Sequence, residues 1–440
     1  MPSTLMIIFA LLLSLIAPLG PARASDQVSR APAVYPFALG AYLYRVMDQP
    51  ELRGQLEDLT VDTGAGWTRE EFHWAWIEPQ RGTYDQDRLE QYDAMVDACL
   101  AKGLKIIGII AYGNSWSSGD QAPSQDSHYQ DYADFVRFLV ERYRGRINHW
   151  QIWNEPNGDR FWLPQPSPEN YCELLKQAYQ AAKAVDPDVK ILGCSTAGID
   201  LEFIMDVFQA GCSRYLDIVA VQPYPNPDPF ERSDYPLLLT GLEQLIKLWG
   251  ADQPIWFTET GYATCSGGTS CLDQDRQAQL LVRTYLSTLA SGVEVVAWYD
   301  LRDDGLDPLD KEYNFGLVSN QEAASPLAPK PAYYAYQTMV SFLGSTTYQG
   351  RTDLSWDQKV LWFRDAENRK SVVTAWVADK DTPAAAREVS IPVQGEVEQV
   401  SDMFGDPHPY SLDSDESGRQ VVVTTISGSP IYIVGDLEPG

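Results

Sequence analysis

Short apolar runs alternate with longer amphipathic segments from about residue 37 to residue 343, and this alternation constrains the fold more than any other feature of the chain. The apolar runs are rich in β-branched and aromatic residues, which is typical of strands. The eight predicted strands are Phe37–Tyr44, Trp67–Trp74, Lys105–Tyr112, His149–Glu155, Lys190–Ser195, Asp217–Tyr224, Pro254–Gly261 and Val293–Asp300.

The segments between these strands carry apolar residues three and four positions apart, which is the spacing of an amphipathic helix. They include Arg88–Lys102, Tyr129–Arg144, Pro168–Val185, Tyr235–Trp249 and Gln274–Ser291, with a closing helix at Ala332–Phe342. Eight strand–helix units in roughly 300 residues predict an α/β fold of the (β/α)8 TIM barrel type. We assign this barrel to residues 25–343.

Residues 344–440 show alternation with period two instead. It occurs in Lys359–Phe363, Ser371–Val377, Gln420–Ile426 and Ile431–Val434, with turn residues between the runs. This pattern predicts a small C-terminal antiparallel β domain of sandwich-like form. Neither an internal repeat nor a low-complexity linker separates the two parts, so we expect them to pack closely.

Residues 1–24 are predicted to be a secretory signal peptide. Leu5–Leu19 is mostly apolar, and Ala22-Arg23-Ala24 is a small-x-small cleavage site, although no Lys or Arg precedes the apolar run. The alternative is a membrane anchor, but about 15 residues interrupted by Pro18 is short for a span. We therefore expect a secreted protein, extracellular or periplasmic, with no membrane association after cleavage.

The chain is strongly acidic, with a formal net charge of −28 at pH 7. Such a surface repels nucleic acid and other polyanions, so we expect a neutral or cationic partner and no nucleic-acid binding. The acidic residues are scattered rather than grouped in blocks, which is typical of a solvated surface.

Six cysteines lie after the predicted signal peptide, an even number that permits disulfides in a secreted protein. Cys265 and Cys271 flank a short flexible loop and are predicted to form a local disulfide. The other four, which are Cys99, Cys172, Cys194 and Cys212, allow three pairings. Their spacing does not suggest a zinc site, and with four histidines in the chain we expect neither a metal nor a cofactor.

Two glutamates stand at predicted strand ends. Glu155 follows the fourth apolar run in Trp153-Asn154-Glu155-Pro156, and Glu259 ends the seventh in Phe257-Thr258-Glu259-Thr260. Strand tips face each other across the mouth of a barrel, where active sites are built. Retaining glycosidases use two carboxyl groups roughly 5 Å apart, one as acid and one as nucleophile. The pair therefore indicates a glycosidase, whereas either Glu alone would be a weak signal.

The motifs around both glutamates resemble clan A glycoside hydrolases. Within that clan, Trp153-Asn154-Glu155-Pro156-Asn157 with Phe161-Trp162 is similar to family thirty-nine, the β-xylosidase and α-iduronidase group. Trp74-Ala75-Trp76-Ile77-Glu78-Pro79 is similar to the clan segment after strand two, and the resemblance covers about residues 37–343.

This resemblance implies that Glu155 is the acid/base, that Glu259 is the nucleophile, and that Asn154 hydrogen-bonds the sugar 2-hydroxyl. The chain departs from the clan pattern at strand six. Many clan members carry His-x-Tyr there, whereas this chain has Gln222-Pro223-Tyr224.

A nucleophilic carboxylate must stay ionised, which requires a cation or hydrogen-bond donors nearby. Arg69 in strand two is a candidate cation for Glu259, and the alternative is an ordinary salt bridge to Glu70 or Glu71. Tyr224, at the end of strand six, is a candidate donor to Glu259, and the alternative is core packing.

Aromatic side chains crowd the predicted barrel mouth, where they can stack on the apolar faces of sugar rings. Trp298 is the first candidate for a platform, followed by Trp116 and Trp162; packing within the barrel wall is the alternative for any Trp. His73 is interpreted as a hydrogen-bonded wall residue rather than a base.

These observations favour a secreted retaining glycosidase that acts on a β-linked neutral polysaccharide or oligosaccharide. A non-catalytic glycan-binding protein on the same scaffold is the alternative, and so is a trimming enzyme of an exopolysaccharide or cell-wall assembly system. The sequence leaves open the sugar and linkage, exo or endo cleavage, and the oligomeric state.

Overall fold

The computed structural model describes residues 34–119, 121–268, 270–365, 367, 369–378, 380 and 385–439. The predicted signal peptide and its cleavage site lie outside these residues. Eight parallel strands close into a barrel in chain order, which confirms the predicted TIM barrel. They are β1 Phe37–Leu39, β2 Trp67–His73, β3 Lys105–Ala111, β4 His149–Ile152, β5 Lys190–Ala197, β6 Ile218–Gln222, β7 Ile255–Thr260 and β8 Val295–Trp298.

Helices surround the barrel and begin with residue types that favour helix starts. Asp85, Ser167, Asp200 and Asp273 each accept a hydrogen bond from a backbone N–H in the first turn of the following helix. The α-helices are α1 Pro50–Asp62, α2 Trp74–Ile77, α3 Gln86–Ala101, α4 Asp126–Arg142, α5 Pro168–Val185, α6 Leu201–Gln209, α7 Tyr235–Leu248, α8 Gln274–Ala290 and α9 Pro331–Leu343. None of the helices in the described part of the chain is long and apolar enough to cross a membrane.

Successive residues of a barrel strand point alternately inward and outward. The inward residues at the N-terminal end of the barrel form an apolar floor, made of Ala38, Trp67, Ile107, Leu192, Ile218, Ala220, Trp256, Val295 and Ala297. Nearer the C-terminal ends of the strands, the buried residues that point inward are polar, and they include Arg69, Gln151 and Gln222. The strands therefore place a buried polar layer directly beneath the barrel mouth.

The C-terminal part of the chain forms one seven-stranded antiparallel sheet, which confirms the predicted β domain. In sheet order β13-β14-β12-β15-β11-β10-β9, its strands are β9 Thr346–Ser355, β10 Gln358–Asp365, β11 Ser371–Val377, β12 Arg387–Ser401, β13 Tyr410–Ser414, β14 Gln420–Ile426 and β15 Ile431–Pro439. The long β12 joins two halves, because residues 387–392 pair with β14 and residues 393–401 pair with β15. Apolar side chains from both halves share one buried cluster.

A buried carboxylate joins the barrel to the sheet. Glu231, on the loop after β6, accepts a hydrogen bond from Arg283 Nε of α8 at 2.8 Å and from Trp376 Nε1 of β11 at 2.8 Å. The side chains of Glu231 and Arg283 are 7% and 0% exposed. Lys380 also pairs with Asp228 at 2.6 Å, so the two parts are held together by polar contacts.

Replacing Glu231 with alanine is expected to destabilise the protein by about 3–5 kcal/mol, because it removes one partner of a buried ion pair. The measurement is the midpoint of urea unfolding. The matched control is Glu416→Ala in the exposed turn before β14, which should shift stability by less than about 0.5 kcal/mol. Equal midpoints for the two variants would contradict a stabilising role for Glu231.

Two disulfides are present. Cys265 and Cys271 are bonded with their Cα atoms 4.8 Å apart, and Cys172 and Cys212 are bonded with their Cα atoms 5.6 Å apart. Cys99 and Cys194 are buried free thiols. The structure therefore contains none of the three complete pairings of these four cysteines, but one bond, Cys172–Cys212, which joins α5 to the segment after α6.

Candidate active site

Glu155 lies on the loop that follows β4, and its backbone is held in an uncommon conformation. Its φ is 46°, in the left-handed region, as is that of Trp153 with φ 65°. Glu155 N donates to Ser195 O at 3.0 Å, where β5 carries a bulge next to Cys194. Non-glycine residues in this region are strained and are found at functional sites where surrounding contacts fix them. The turn directs the Glu155 carboxyl group towards the barrel axis.

Glu259 lies in β7, and three donors surround its carboxylate. Arg69 Nη1 is 2.5 Å from Glu259 Oε1, and the Tyr224 hydroxyl donates to Oε2 at 2.6 Å. The Tyr42 hydroxyl is 3.5 Å from Oε1. Donors and a cation stabilise the ionised form of a carboxylate. The structure thus brings the sequence-predicted Arg69 and Tyr224 to the sequence-predicted Glu259.

Arg69 is 1% exposed and links this carboxylate to the other side of the site. Its Nη2 donates to Asn154 Oδ1 at 2.9 Å and its Nε donates to Gln151 Oε1 at 3.2 Å. The side chain of Gln222 lies against Asn154, with 2.7 Å between Nε2 and Oδ1. A buried polar network therefore runs from Glu259 through Arg69 to the residue next to Glu155.

Burial, followed by the charge of nearby Glu259, raises the pKa of Glu155 to about 7, whereas the charge of Arg69 opposes the shift. A carboxyl group with this pKa is protonated in a large fraction of molecules near neutral pH. Pairs of carboxyl groups in such different surroundings are the usual acid and nucleophile of glycosidases.

The alkaline limb of the pH profile of kcat/KM is expected near pH 7. The acid form of Glu155 donates the proton, so activity falls as pH rises through the pKa of its free-enzyme form. The measurement is kcat/KM for an aryl glycoside between pH 5 and pH 9. Glu155→Gln cannot titrate and should lose this limb, and an unchanged limb in that variant would assign it to another group.

Tyr42 is a contact of Glu259 that the sequence did not reveal. It precedes the 3-10 turn Leu43–Val46, and a buried carboxylate fixes that turn: Glu70 accepts from Tyr44 N at 3.1 Å and from Thr68 Oγ1 at 2.6 Å. Burial raises the pKa of Glu70 to about 7. Glu70 therefore points away from the barrel axis and positions the segment that carries Tyr42.

Trp298 does not face the barrel mouth, which corrects the expectation that it is a sugar platform. The side chains of Val295 and Ala297 point into the barrel, so that of Trp298 points outward. It is fully buried near Tyr262 and Tyr285. The side chain of the next residue, Tyr299, points towards the inside of the barrel. Its ring centroid is 5.4 Å from that of Tyr42. Tyr299, directly after β8, is therefore the aromatic residue of this segment that lies near Glu259 and its partners Tyr42 and Tyr224.

The other two predicted platforms, Trp162 and Trp116, differ in how much of the side chain is exposed. Trp162 is 2% exposed and packs against Trp153, with ring centroids 5.3 Å apart. Trp116 is half-buried; it packs on Trp74, and its Nε1 donates to Glu78 O at 2.8 Å. Trp162 therefore has almost no surface to offer a sugar, whereas the role of Trp116 as a platform stays a prediction.

Accessible aromatic residues occur instead after β2, β3 and β4. Trp76 is 44% exposed and stacks on His73 with 4.1 Å between centroids, and Tyr112 stacks on Phe161 with 5.8 Å between centroids. His73 Nε2 lies 3.0 Å from Glu71. His73 thus lines the wall of the barrel mouth. The aromatic residues Trp76, Tyr112 and Phe161 lie on the same side of the mouth as Glu155.

Gly261 allows the tips of β7 and β8 to approach. A Cβ atom at this position would collide with Tyr299 O and crowd the ring of Phe315. A larger residue would therefore displace Tyr299. Among the described residues, no group of three or more His, Cys, Asp or Glu is arranged to hold a metal ion.

Comparison with known proteins gives sequence matches over parts of the chain. Residues 52–227 match the model of the cellulase family, glycosyl hydrolase family 5. A β-xylosidase of Geobacillus stearothermophilus is 28% identical over 162 residues, which is 32% of this chain and 31% of that protein. A β-xylosidase of Caldicellulosiruptor saccharolyticus is 23% identical over 231 residues, 47% of this chain and 44% of that protein. The chain thus matches less than half the length of either relative.

Solved structures are similar over most of the chain. A family 39 glycoside hydrolase from Bacteroides cellulosilyticus WH2 has a TM-score of 0.73 and 24% identity, covering 90% of this chain and 80% of that chain. A monomeric β-xylosidase from Caulobacter crescentus CB15 has a TM-score of 0.63 and 17% identity, covering 94% and 98%. These likenesses establish the fold.

The closed barrel, the paired glutamates and these matches make the chain similar to clan A glycoside hydrolases. Within that clan the chain resembles family 39, in agreement with the motifs around Glu155.

Proposed function

We propose that this protein is a secreted retaining glycoside hydrolase that cleaves β-linked neutral oligosaccharides or polysaccharides, with β-D-xylosides as the first substrates to test. The observation that carries the proposal is the pair Glu155 and Glu259 at the tips of β4 and β7. The two relatives that are β-xylosidases support the choice of sugar. The two disulfides support secretion, because disulfides persist in oxidising compartments.

In the first step, protonated Glu155 donates its proton to the glycosidic oxygen while a Glu259 carboxylate oxygen attacks the anomeric carbon. The bond from that carbon to the leaving oxygen breaks, and a glycosyl ester on Glu259 forms. Arg69 and Tyr224 hold the Glu259 carboxylate in place for the attack. Asn154, fixed by Arg69, is placed to contact the hydroxyl next to the anomeric carbon.

In the second step, ionised Glu155 removes a proton from water, and the water oxygen attacks the same carbon and releases Glu259. Two inversions give net retention. Tyr299, Tyr112 and Trp76 supply aromatic surface around the sugar.

The test is release of p-nitrophenol from p-nitrophenyl β-D-xylopyranoside, with the β-glucoside, the β-galactoside and the α-L-arabinofuranoside in parallel. Proton NMR of the product should show the substrate's own anomeric configuration first. Initial appearance of the opposite anomer would exclude the retaining mechanism. Failure to hydrolyse any member of the panel would exclude an exo-glycosidase of these sugars.

A further inference from the structure

Gln222 lies between Asn154 and Glu155, and no motif in the sequence assigns it a role. It is the last residue of β6 and is fully buried. Its side chain points into the barrel, as do those of Ile218 and Ala220 in the same strand. One atom of its side-chain amide lies 2.7 Å from Asn154 Oδ1. The other lies 2.8 Å from Glu155 Oε1. The amide therefore bridges the arginine-centred network and the acid/base carboxyl group.

The amide can adopt two orientations, because its oxygen and nitrogen are similar in size and occupy the same two positions. With nitrogen towards Asn154, the amide donates to Asn154 Oδ1 and presents its oxygen to Glu155. An oxygen facing a carboxyl oxygen at hydrogen-bond distance requires a proton between them, which only protonated Glu155 provides.

With nitrogen towards Glu155, the amide donates to Oε1 at 2.8 Å, and its oxygen accepts from Arg69 Nη2 at 3.1 Å. The same oxygen lies 2.7 Å from the Asn154 amide, so Asn154 must turn its own nitrogen towards Gln222 in this state. This orientation suits ionised Glu155, which can only accept. Each protonation state of Glu155 is therefore matched by one orientation of the same neutral side chain.

We propose that Gln222 is a positioning residue that holds Glu155 in both of its protonation states, accepting from the acid form and donating to the base form. This inference rests on the proposed function, in which Glu155 is acid in one step and base in the next. A buried amide has no charge of its own, so it supports both states without adding a second titrating group beside Glu155.

The test compares Gln222→Met, which keeps the shape of the side chain and removes the amide, with Gln222→His, which restores a donor and acceptor. Two aryl xylosides separate the steps: a dinitrophenyl substrate limited by the second step, and a methoxyphenyl substrate limited by the first. Gln222→Met is expected to lower kcat more than about tenfold on both, because acid–base catalysis contributes to both steps. Gln222→His should recover part of the loss.

The pH dependence distinguishes positioning of Glu155 from a general structural role. The bond that the amide donates to the ionised carboxylate is charge-assisted and therefore stronger than the one it accepts from the neutral acid. Loss of both bonds in Gln222→Met should therefore move the alkaline limb upward by about one pH unit. The matched control is Gln253→Leu, near the floor of the barrel, where the amide donates to Ser213 O at 2.7 Å. Its alkaline limb should not move.

A titration that needs no turnover separates this inference from the proposed function. Carbon-13 NMR of glutamate-labelled protein, with the Glu155 signal identified by its loss in Glu155→Gln, gives the pKa of Glu155 directly. A higher pKa in Gln222→Met supports the inference even if no glycoside is cleaved. An unchanged Glu155 titration in Gln222→Met overturns it, whatever the activity.

Discussion

Replacing Glu259 with glutamine is expected to lower kcat by at least about 10⁴-fold, because loss of a catalytic nucleophile removes the covalent route. The fold should remain, since the amide oxygen can still accept from Arg69 while the amide nitrogen donates to the Tyr224 hydroxyl oxygen. The measurement is turnover of the best aryl glycoside from the panel. Glu294→Gln is the matched control, because Glu294 contacts Trp256 Nε1 at the floor of the barrel and should keep nearly full activity.

Adding azide to the Glu259→Ala variant gives an independent test of Glu259 as the nucleophile. Azide fits the space left by the carboxylate and attacks the anomeric carbon once, so the product should be the glycosyl azide of inverted configuration. A 2-fluoro glycoside should, in the wild type, label the peptide that contains Glu259. A label on any other residue would show that the nucleophile has been misassigned.

Replacing Glu155 with glutamine is expected to reduce hydrolysis of substrates with poor leaving groups by about 10²- to 10⁴-fold, the usual contribution of general acid catalysis. Dinitrophenyl substrates should lose less in the first step, because their leaving group needs no proton. Azide should accelerate the second step without a general base and give the glycosyl azide of retained configuration. Equal kcat for wild type and Glu155→Gln on a methoxyphenyl glycoside would refute the acid/base assignment.

Much of the fold followed from hydrophobic alternation. The eight predicted barrel strands all occur, and the helix predicted over Pro168–Val185 has the same bounds in the structure. Strand ends differ by a few residues where the chain leaves regular pairing to build the site. The predicted strand at His149–Glu155 ends at Ile152 because Trp153 adopts a left-handed conformation.

The sheet after the barrel was harder to predict. β12 alternates buried Val389, Ile391 and Val393 with less buried residues, but Pro392, Gly395 and exposed glutamates interrupt the pattern. In β9 half-buried residues alternate with exposed ones, and most of its residues are polar. Their pairing depends on neighbours far along the chain rather than on local sequence.

The site shows the same division. Glu155 and Glu259 could be predicted because each ends an apolar run. The direction of the side chains in β8 could also have been predicted from the sequence. Val295 and Ala297 point into the barrel, so alternation places Tyr299 inward and Trp298 outward. The prediction instead favoured Trp298 because of its large aromatic side chain. Gln151, Gln222 and Tyr42 carry no motif of their own. Their roles depend on which strands become neighbours, and this information appears only when the barrel closes.

The position of β15 in the sheet has a consequence for how the molecule is made. This strand follows both β11 and β12 in the chain, yet it pairs with β12 on one side and β11 on the other. During synthesis the N-terminal part of a protein folds first, so the barrel can close while β11 and β12 still lack their shared partner. Until residue 439 has left the ribosome, both strands expose unpaired backbone to other nascent chains. The interval between barrel closure and insertion of β15 is therefore the stage at which this protein is most exposed to misassembly.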